Sequence, residues 1–165
     1  MTDRGEFGRI LAENERYTES FDRSALTAAP LRGIAIVACM DARLDVEETL
    51  GLRTGDAHII RNAGGLATDD VIRSLIVSQT LLGTDEIVVI GHTGCGLEHA
   101  DEPGIRAKLV QSSGVDLGIA FGSFEDVETS VRGSVERLRA HPWVMTTRVH
   151  GLVFDVATGR LRELT

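Results

Sequence analysis

Residues 33–45, "GIAIVACMDARLD", decide the fold class, because a buried strand ends there in polar side chains. Its first seven letters are a continuous apolar, β-branched run, which is typical of a strand buried on both faces of a parallel sheet. Cys39, Asp41 and Arg43 then alternate along the chain. We interpret the segment as a strand that delivers reactive side chains to the edge where ligands bind in such sheets.

The rest of the chain alternates between strand and helix patterns. The predicted strands cover residues 33–39, 57–62 and 86–91, and the predicted helices cover about 5–21, 45–52, 69–82 and 124–140. Ser123 is the expected N-cap of the last helix, and "HP" at 141–142 is expected to end it. Residues 151–164 predict a hairpin with "ATG" at its turn. For residues 97–122, which contain several glycines, no element is predicted.

This order of elements predicts an α/β fold. Strands that alternate with helices form βαβ units, so we expect a mainly parallel sheet flanked by helices, with a C-terminal antiparallel hairpin at the edge. A chain of 165 residues has the size of one domain. We expect a helical arm over residues 1–30 and an α/β core over residues 31–165. Apolar side chains at near-helical spacing give the arm one stripe, which packs on its own domain or on a partner subunit: Phe7, Ile10, Leu11, Tyr17 and Phe21.

Composition excludes several classes of partner. The formal net charge of −8 argues against nucleic acid and against an anionic membrane surface, since both attract clustered positive charge. No apolar run approaches the ~18 residues of a membrane span, and the first residues lack a signal-peptide pattern. We therefore expect a cytoplasmic protein. Its two cysteines are then more suited to metal binding, catalysis or simple burial than to a disulfide.

His92 and Cys95 stand in H-x-x-C spacing after the third strand. If a helix begins there, both side chains face the same side, and a parallel sheet could bring Cys39 beside them. Two thiolates and an imidazole favour tetrahedral zinc, and three protein ligands leave a fourth position exchangeable, as in catalytic sites. A buried free cysteine and a core histidine would explain H-x-x-C alone nearly as well.

Three segments together resemble a known family. "CMDARLD" (39–45), "RNAGG" (61–65) and "GHTGCG" (91–96), in this order and on these elements, are similar to the short form of the β-class carbonic anhydrases. The resemblance implies reversible hydration of carbon dioxide to bicarbonate and a proton by zinc-bound hydroxide. It also implies a homodimer or a dimer of dimers, with the cleft at the subunit interface and the N-terminal helix over the partner.

The resemblance also assigns site residues. It implies Cys39, His92 and Cys95 as zinc ligands, Asp41 and Arg43 as a catalytic dyad, and Gly96 as the residue whose backbone N–H contacts substrate-like anions. No residue of 97–122 is assigned to the pocket. Because zinc-bound water must lose a proton, we expect a rate that rises between about pH 6 and 9.

Asp41 has two possible positions. As a fourth zinc ligand, in a closed state, it would displace water and make the site inert. Arg43 can instead hold the carboxylate off the metal through a bidentate pair, where it orients the hydroxide. Taken alone, the two residues would suggest a helix N-cap and a surface ion pair. The sequence leaves the choice between the closed and the open state undecided.

Two other functions are compatible with the same residues. A carbonyl sulfide or carbon disulfide hydrolase would use the same zinc chemistry on another linear substrate. A non-catalytic zinc-binding or bicarbonate-sensing protein would keep Asp41 on the metal at every pH. The paired glycines Gly64 and Gly65 form either a tight turn or an anion cradle, but the loop lacks the phosphate-binding pattern, which argues against nucleotides.

Overall fold

The computed structural model describes residues 5–164. Its strands are β1 (Ile34–Cys39), β2 (Ala57–Asn62), β3 (Glu86–His92), β4 (Val149–Phe154) and β5 (Leu161–Leu164). Its α-helices are α1 (Gly5–Thr18), α2 (Val46–Leu50), α3 (Asp69–Leu82), α4 (Glu102–Ser113) and α5 (Val127–Ala140), and a short 3-10 turn spans Ala63–Gly65.

The strands form a single sheet in the order β2-β1-β3-β4-β5. The first four strands are parallel, and β5 pairs antiparallel with β4 at the edge. The predicted α/β fold is therefore confirmed. The predicted terminal hairpin consists of β4 and β5. Its first strand, β4, also pairs parallel with β3, so only β5 runs antiparallel to the other strands.

Each face of the sheet has its own apolar cluster. On one face α3 and α5 cover the sheet, with Val71, Leu75 and Leu138 packed against alternate residues of the central strands. On the other face fewer buried residues cover the sheet, and they include Leu44, Val46 and Phe154, the last residue of β4. Cys39 and Cys95 belong to this second cluster, so the reactive end of β1 lies on the thinly covered face.

Two helices differ from the sequence expectations. Residues 97–122, left without an element, contain α4, which Asp101 caps and Gly114 ends. The last helix begins at Val127 and not near 124, and its N-cap is Asp126 rather than Ser123. The reason is that Phe124 is held by the preceding loop, since its carbonyl accepts the N–H of His99 at 2.8 Å.

The N-terminal helix makes few contacts with the rest of its own chain. α1 ends at Thr18, earlier than predicted, and none of its described residues is buried. Its apolar side chains face outward, with Phe7 65% and Ile10 59% exposed. Within residues 5–164 no helix is long and apolar enough to cross a membrane.

Candidate metal centre

Three side chains that could hold a metal ion meet at the carboxyl ends of neighbouring strands. Cys39 is the last residue of β1, His92 is the last residue of β3, and Cys95 lies in the turn that follows. Their ligand atoms all lie within 4.8 Å of one another, and the two sulfurs are 4.0 Å apart. The parallel strands bring the three side chains together as expected, but the helix considered at His92 is not present. No helix begins at His92, because the strand end and a turn bring the two side chains together.

The imidazole of His92 is oriented for a ligand. Its side chain is fully buried, and its Nδ1 donates a hydrogen bond to the carbonyl of Thr93 at 3.1 Å. That bond leaves the lone pair on Nε2, which has no hydrogen-bond partner among the described residues. A buried nitrogen without a partner is costly unless something else binds it, and metal-bound histidines are oriented through their other nitrogen in this way. The site therefore fits a metal ion.

The two thiols are also suited to a metal. Cys39 and Cys95 are 5% and 7% exposed, so both sulfurs lie in an apolar environment. Burial raises the pKa of the Cys95 thiol, and the neighbouring Cys39 adds to the shift. A divalent cation reverses this effect, because it stabilises the thiolate that desolvation disfavours. Two sulfurs and one nitrogen are the donor set that zinc prefers.

Arg43 binds the carboxylate of Asp41 through two hydrogen bonds. Nε donates to Oδ1 at 2.9 Å and Nη2 donates to Oδ2 at 2.7 Å, which makes a bidentate pair. The backbone N–H of Arg43 adds a third bond to Oδ1 at 2.9 Å. Nη2 also donates to the carbonyl of Gly94 at 2.9 Å, so the arginine joins the β1 segment to the turn that carries Cys95.

Asp41 thus lies beside the three metal-binding side chains without joining them. Its Oδ2 is 3.8 Å from Nε2 of His92, and among the described residues it is not part of the group within 4.8 Å. The hydrogen bonds from Arg43 hold the pKa of the Asp41 carboxyl well below its usual value. The carboxylate therefore stays ionised, and in the structure both of its oxygens are bound by Arg43.

Gly65 of the "RNAGG" loop packs closely against the backbone of β1 and β3. Gly65 has a φ of +64°, and a Cβ there would lie 2.9 Å from the carbonyl oxygen of Ile90 and 3.0 Å from the backbone nitrogen of Cys39. Close approach of the loop to β1 and β3 therefore requires glycine. Between the two interpretations of this loop, this geometry favours the tight turn.

Gly96 follows Cys95 directly and is exposed. A Cβ at this position would meet nothing within 4 Å, so open space lies next to the metal-binding group. Sequence reasoning missed three hydrogen bonds at this edge, one from Arg43 to the carbonyl of Gly94 and two from Arg61 to the carbonyls of Cys39 and Asp41. Backbone carbonyls carry no sequence signal, although an arginine at the end of β2 could have suggested such a partner.

A parallel sheet that brings two thiols, an imidazole and an arginine-bound carboxylate to one edge defines a zinc-binding α/β protein. Comparison with known proteins gives the family. The family model described as carbonic anhydrase matches residues 34–116. The chain is 46% identical to β-carbonic anhydrase 1 of Mycobacterium tuberculosis over 156 residues, which cover 94% of this chain and 95% of that protein.

A solved structure and a second type of relative agree with this match. The crystal structure of a carbonic anhydrase from Streptococcus mutans has a TM-score of 0.90 and 42% identity, and it covers 98% of each chain. A carbon disulfide hydrolase of Acidithiobacillus thiooxidans is 38% identical over 153 residues, which cover 79% of this chain and 76% of that protein. The chain belongs to the β-carbonic anhydrase family.

Proposed function

We propose that the protein catalyses the reversible hydration of carbon dioxide to bicarbonate and a proton, with zinc as its cofactor. The observation that carries the proposal is the position of Asp41, whose carboxylate is bound by Arg43 rather than placed among the sulfurs and the imidazole. With three protein ligands, bound zinc would have a fourth position for water. A site of purely structural zinc would instead have four protein ligands.

Each side chain of the site has a role in this proposal. Cys39, His92 and Cys95 would hold zinc, which when bound supplies hydroxide near neutral pH by lowering the pKa of water. Asp41 accepts a hydrogen bond from the nucleophile and so orients its lone pair toward the carbon atom. Arg43 keeps Asp41 ionised and in place. Gly96 borders open space, where its backbone N–H would contact the oxygens of the bound anion.

A direct assay separates carbon dioxide from the sulfur analogues. Purified, zinc-loaded protein would be mixed in a stopped-flow instrument with carbon dioxide, carbonyl sulfide or carbon disulfide, and its zinc content would be measured in parallel. We expect one zinc per chain and the highest kcat/KM with carbon dioxide. A higher kcat/KM with carbon disulfide would assign the chain to the activity named for its Acidithiobacillus relative, and zinc without turnover of any substrate would contradict catalysis.

We also propose a homodimer in which α1 packs on the partner subunit. α1 is 14 residues long and has no buried residue, although Phe7, Ile10 and Leu11 lie along one side of it. An apolar stripe that its own chain leaves open is usually covered by another surface. A tetrameric assembly, as named for the Sordaria macrospora enzymes, would be a dimer of dimers. The cytoplasm suits this protein because its two thiols must stay reduced to bind metal.

Charging the α1 stripe is expected to separate the dimer. The double variant Phe7→Asp and Ile10→Asp removes two apolar side chains, each worth about 2 kcal/mol when buried. The sum of about 4 kcal/mol should raise the dimer Kd by at least about 1000-fold. Sedimentation velocity and light scattering would measure the shift to monomer. Arg9→Ala is the matched control, since Arg9 lies on the same helix and pairs only with Glu6 in the described residues. A double variant that stays dimeric would contradict the arm proposal.

A further inference from the structure

Arg61, near the end of β2, binds the backbone of the segment that carries Cys39 and Asp41. Its Nε donates to the carbonyl of Cys39 at 2.9 Å, and its Nη2 donates to the carbonyl of Asp41 at 2.7 Å. Within residues 5–164 this guanidinium forms no ion pair with a carboxylate, and both of its hydrogen bonds go to backbone carbonyls. One arginine therefore bridges two carbonyls that flank Met40.

These carbonyls lie at the point where the chain leaves the sheet after β1. The last backbone bond between β1 and β2 runs from the N–H of Met40 to the carbonyl of Asn62 at 2.9 Å. Beyond it the chain leaves the sheet, and the Met40 side chain, 66% exposed, gives the segment no apolar anchor. The next apolar anchor is the buried Leu44, whose N–H donates to the carbonyl of Asp41 at 3.1 Å. Between Met40 and Leu44 hydrogen bonds help to fix the path of the chain, and Arg61 supplies two of them.

Arg61 and Arg43 act on different parts of the same residue. Arg43 binds the side-chain carboxylate of Asp41, and Arg61 binds its backbone carbonyl. The position of a side chain depends on both, because a rotation of the peptide would move the carboxylate even while Arg43 follows it. Among the described residues, the Arg43 side chain donates to the Asp41 carboxylate and to the carbonyl of Gly94, so it does not hold the Cys39–Asp41 carbonyls.

We propose that Arg61 is a positioning residue of the metal centre, which holds the Cys39–Asp41 backbone so that the sulfur faces the metal and the carboxylate does not. This inference rests on the proposed function for its effect on turnover. Its effect on metal retention depends only on the metal-binding group. Partners that orient metal ligands typically contribute about 10- to 100-fold to metal affinity or activity when they are removed.

The test compares Arg61→Met and Arg61→Lys with the wild-type protein. Methionine keeps the apolar stem and removes the donors, whereas lysine keeps the charge and can reach one carbonyl. Arg139→Met is the matched control, because Arg139 also donates from its guanidinium to a backbone carbonyl, that of Val149, far from the metal centre. The measurements are the rate of zinc transfer to a colorimetric chelator, kcat and KM for carbon dioxide, the visible spectrum of the cobalt-substituted protein, and Tm.

For Arg61→Met we expect zinc release about 10- to 100-fold faster and kcat lower by a similar factor, with KM nearly unchanged. The cobalt spectrum should change in the thiolate-to-metal band, and Arg61→Lys should lie between this variant and wild type. Arg139→Met should lower Tm without changing zinc release, kcat or the spectrum.

Two results would overturn the inference. One is Arg61→Met with wild-type zinc release and cobalt spectrum, and the other is Arg139→Met with the same losses as Arg61→Met. If Arg61→Met did not fold, Arg61→Lys with wild-type values would count against the inference in the same way. A wild-type protein inactive toward carbon dioxide would contradict the proposed function, while zinc release and the cobalt spectrum would still decide the role of Arg61.

Discussion

Cys39→Ser is expected to abolish zinc binding and with it the hydration of carbon dioxide. Serine is close to cysteine in size, but its hydroxyl stays protonated near neutral pH and is a poor ligand for zinc. The loss of kcat/KM should exceed the roughly 100-fold that removing an outer-shell partner causes, because a ligand itself is lost. Zinc per chain, measured by atomic emission after gel filtration, should fall toward zero together with the stopped-flow rate.

Ala38→Ser is the matched control for this variant. Ala38 lies one residue earlier in β1 and is fully buried, so the substitution places the same hydroxyl group in the same strand. A buried hydroxyl without a partner costs about 1 to 3 kcal/mol, so the control should lose stability and keep its zinc. A Cys39→Ser protein that retained a full equivalent of zinc and wild-type turnover would contradict the assignment of this cysteine.

Arg43→Ala is expected to change the protein from the open to the closed state. The substitution removes both side-chain bonds to the Asp41 carboxylate and the bond to Gly94, and it leaves only the backbone N–H of residue 43 on Oδ1. Oδ2 of Asp41 already lies 3.8 Å from Nε2 of His92. The freed carboxylate can then reach the metal and displace water. We expect kcat to fall by about 100-fold with zinc retained, and iodide or azide to lose its inhibition because no exchangeable position is left.

Two further variants test that explanation. Arg73→Ala removes an arginine that pairs with Asp70 on an exposed helix surface, and it should leave turnover and anion inhibition unchanged. Arg43→Ala combined with Asp41→Ala removes the displaced carboxylate as well, so anion binding should return while turnover stays low. An Arg43→Ala protein with wild-type turnover would contradict the role of the pair.

The pH dependence of the Asp41–Arg43 pair follows from the sign of its shift. Arg43 lowers the pKa of Asp41 in the folded state, so the stabilisation is present above the ordinary value of 3.8 and is lost as the pH falls through the lower folded value. The pair is therefore intact between about pH 6 and 9. A turnover rate that rises across this range, as expected from the sequence, would therefore reflect the titration of a group other than Asp41. A flat rate would contradict control by the metal's water.

Much of the fold could be predicted from the sequence, because its signals are local. The apolar runs of β1 and β3 and the pattern of α3 predicted bounds close to those in the structure. α4 was missed because it has no buried residue and therefore no apolar stripe, although Asp101 and Pro103 mark its start. The start of α5 was misplaced because a contact between distant segments, from His99 to Phe124, fixes it.

At the metal centre, the sequence predicted which residues meet but not how they are held. Cys39, His92 and Cys95 could be grouped because parallel strands end at the same edge of a sheet. Their orientation depends on bonds to backbone carbonyls, such as those of Thr93 and Gly94, and these carry no side-chain signal. For the same reason the position of the Asp41 carboxylate could not be chosen from sequence, since both of its states use the same residues.

The central claim is that Asp41 is held by Arg43 while Cys39, His92 and Cys95 bind zinc. A crystal structure of the zinc-loaded protein, grown near neutral pH without added anions, tests it most directly. We predict zinc on the two sulfurs and on Nε2 of His92, a solvent oxygen in the fourth position, and a bidentate pair between Asp41 and Arg43. A carboxylate oxygen of Asp41 on the zinc, with Arg43 turned away, would contradict the account.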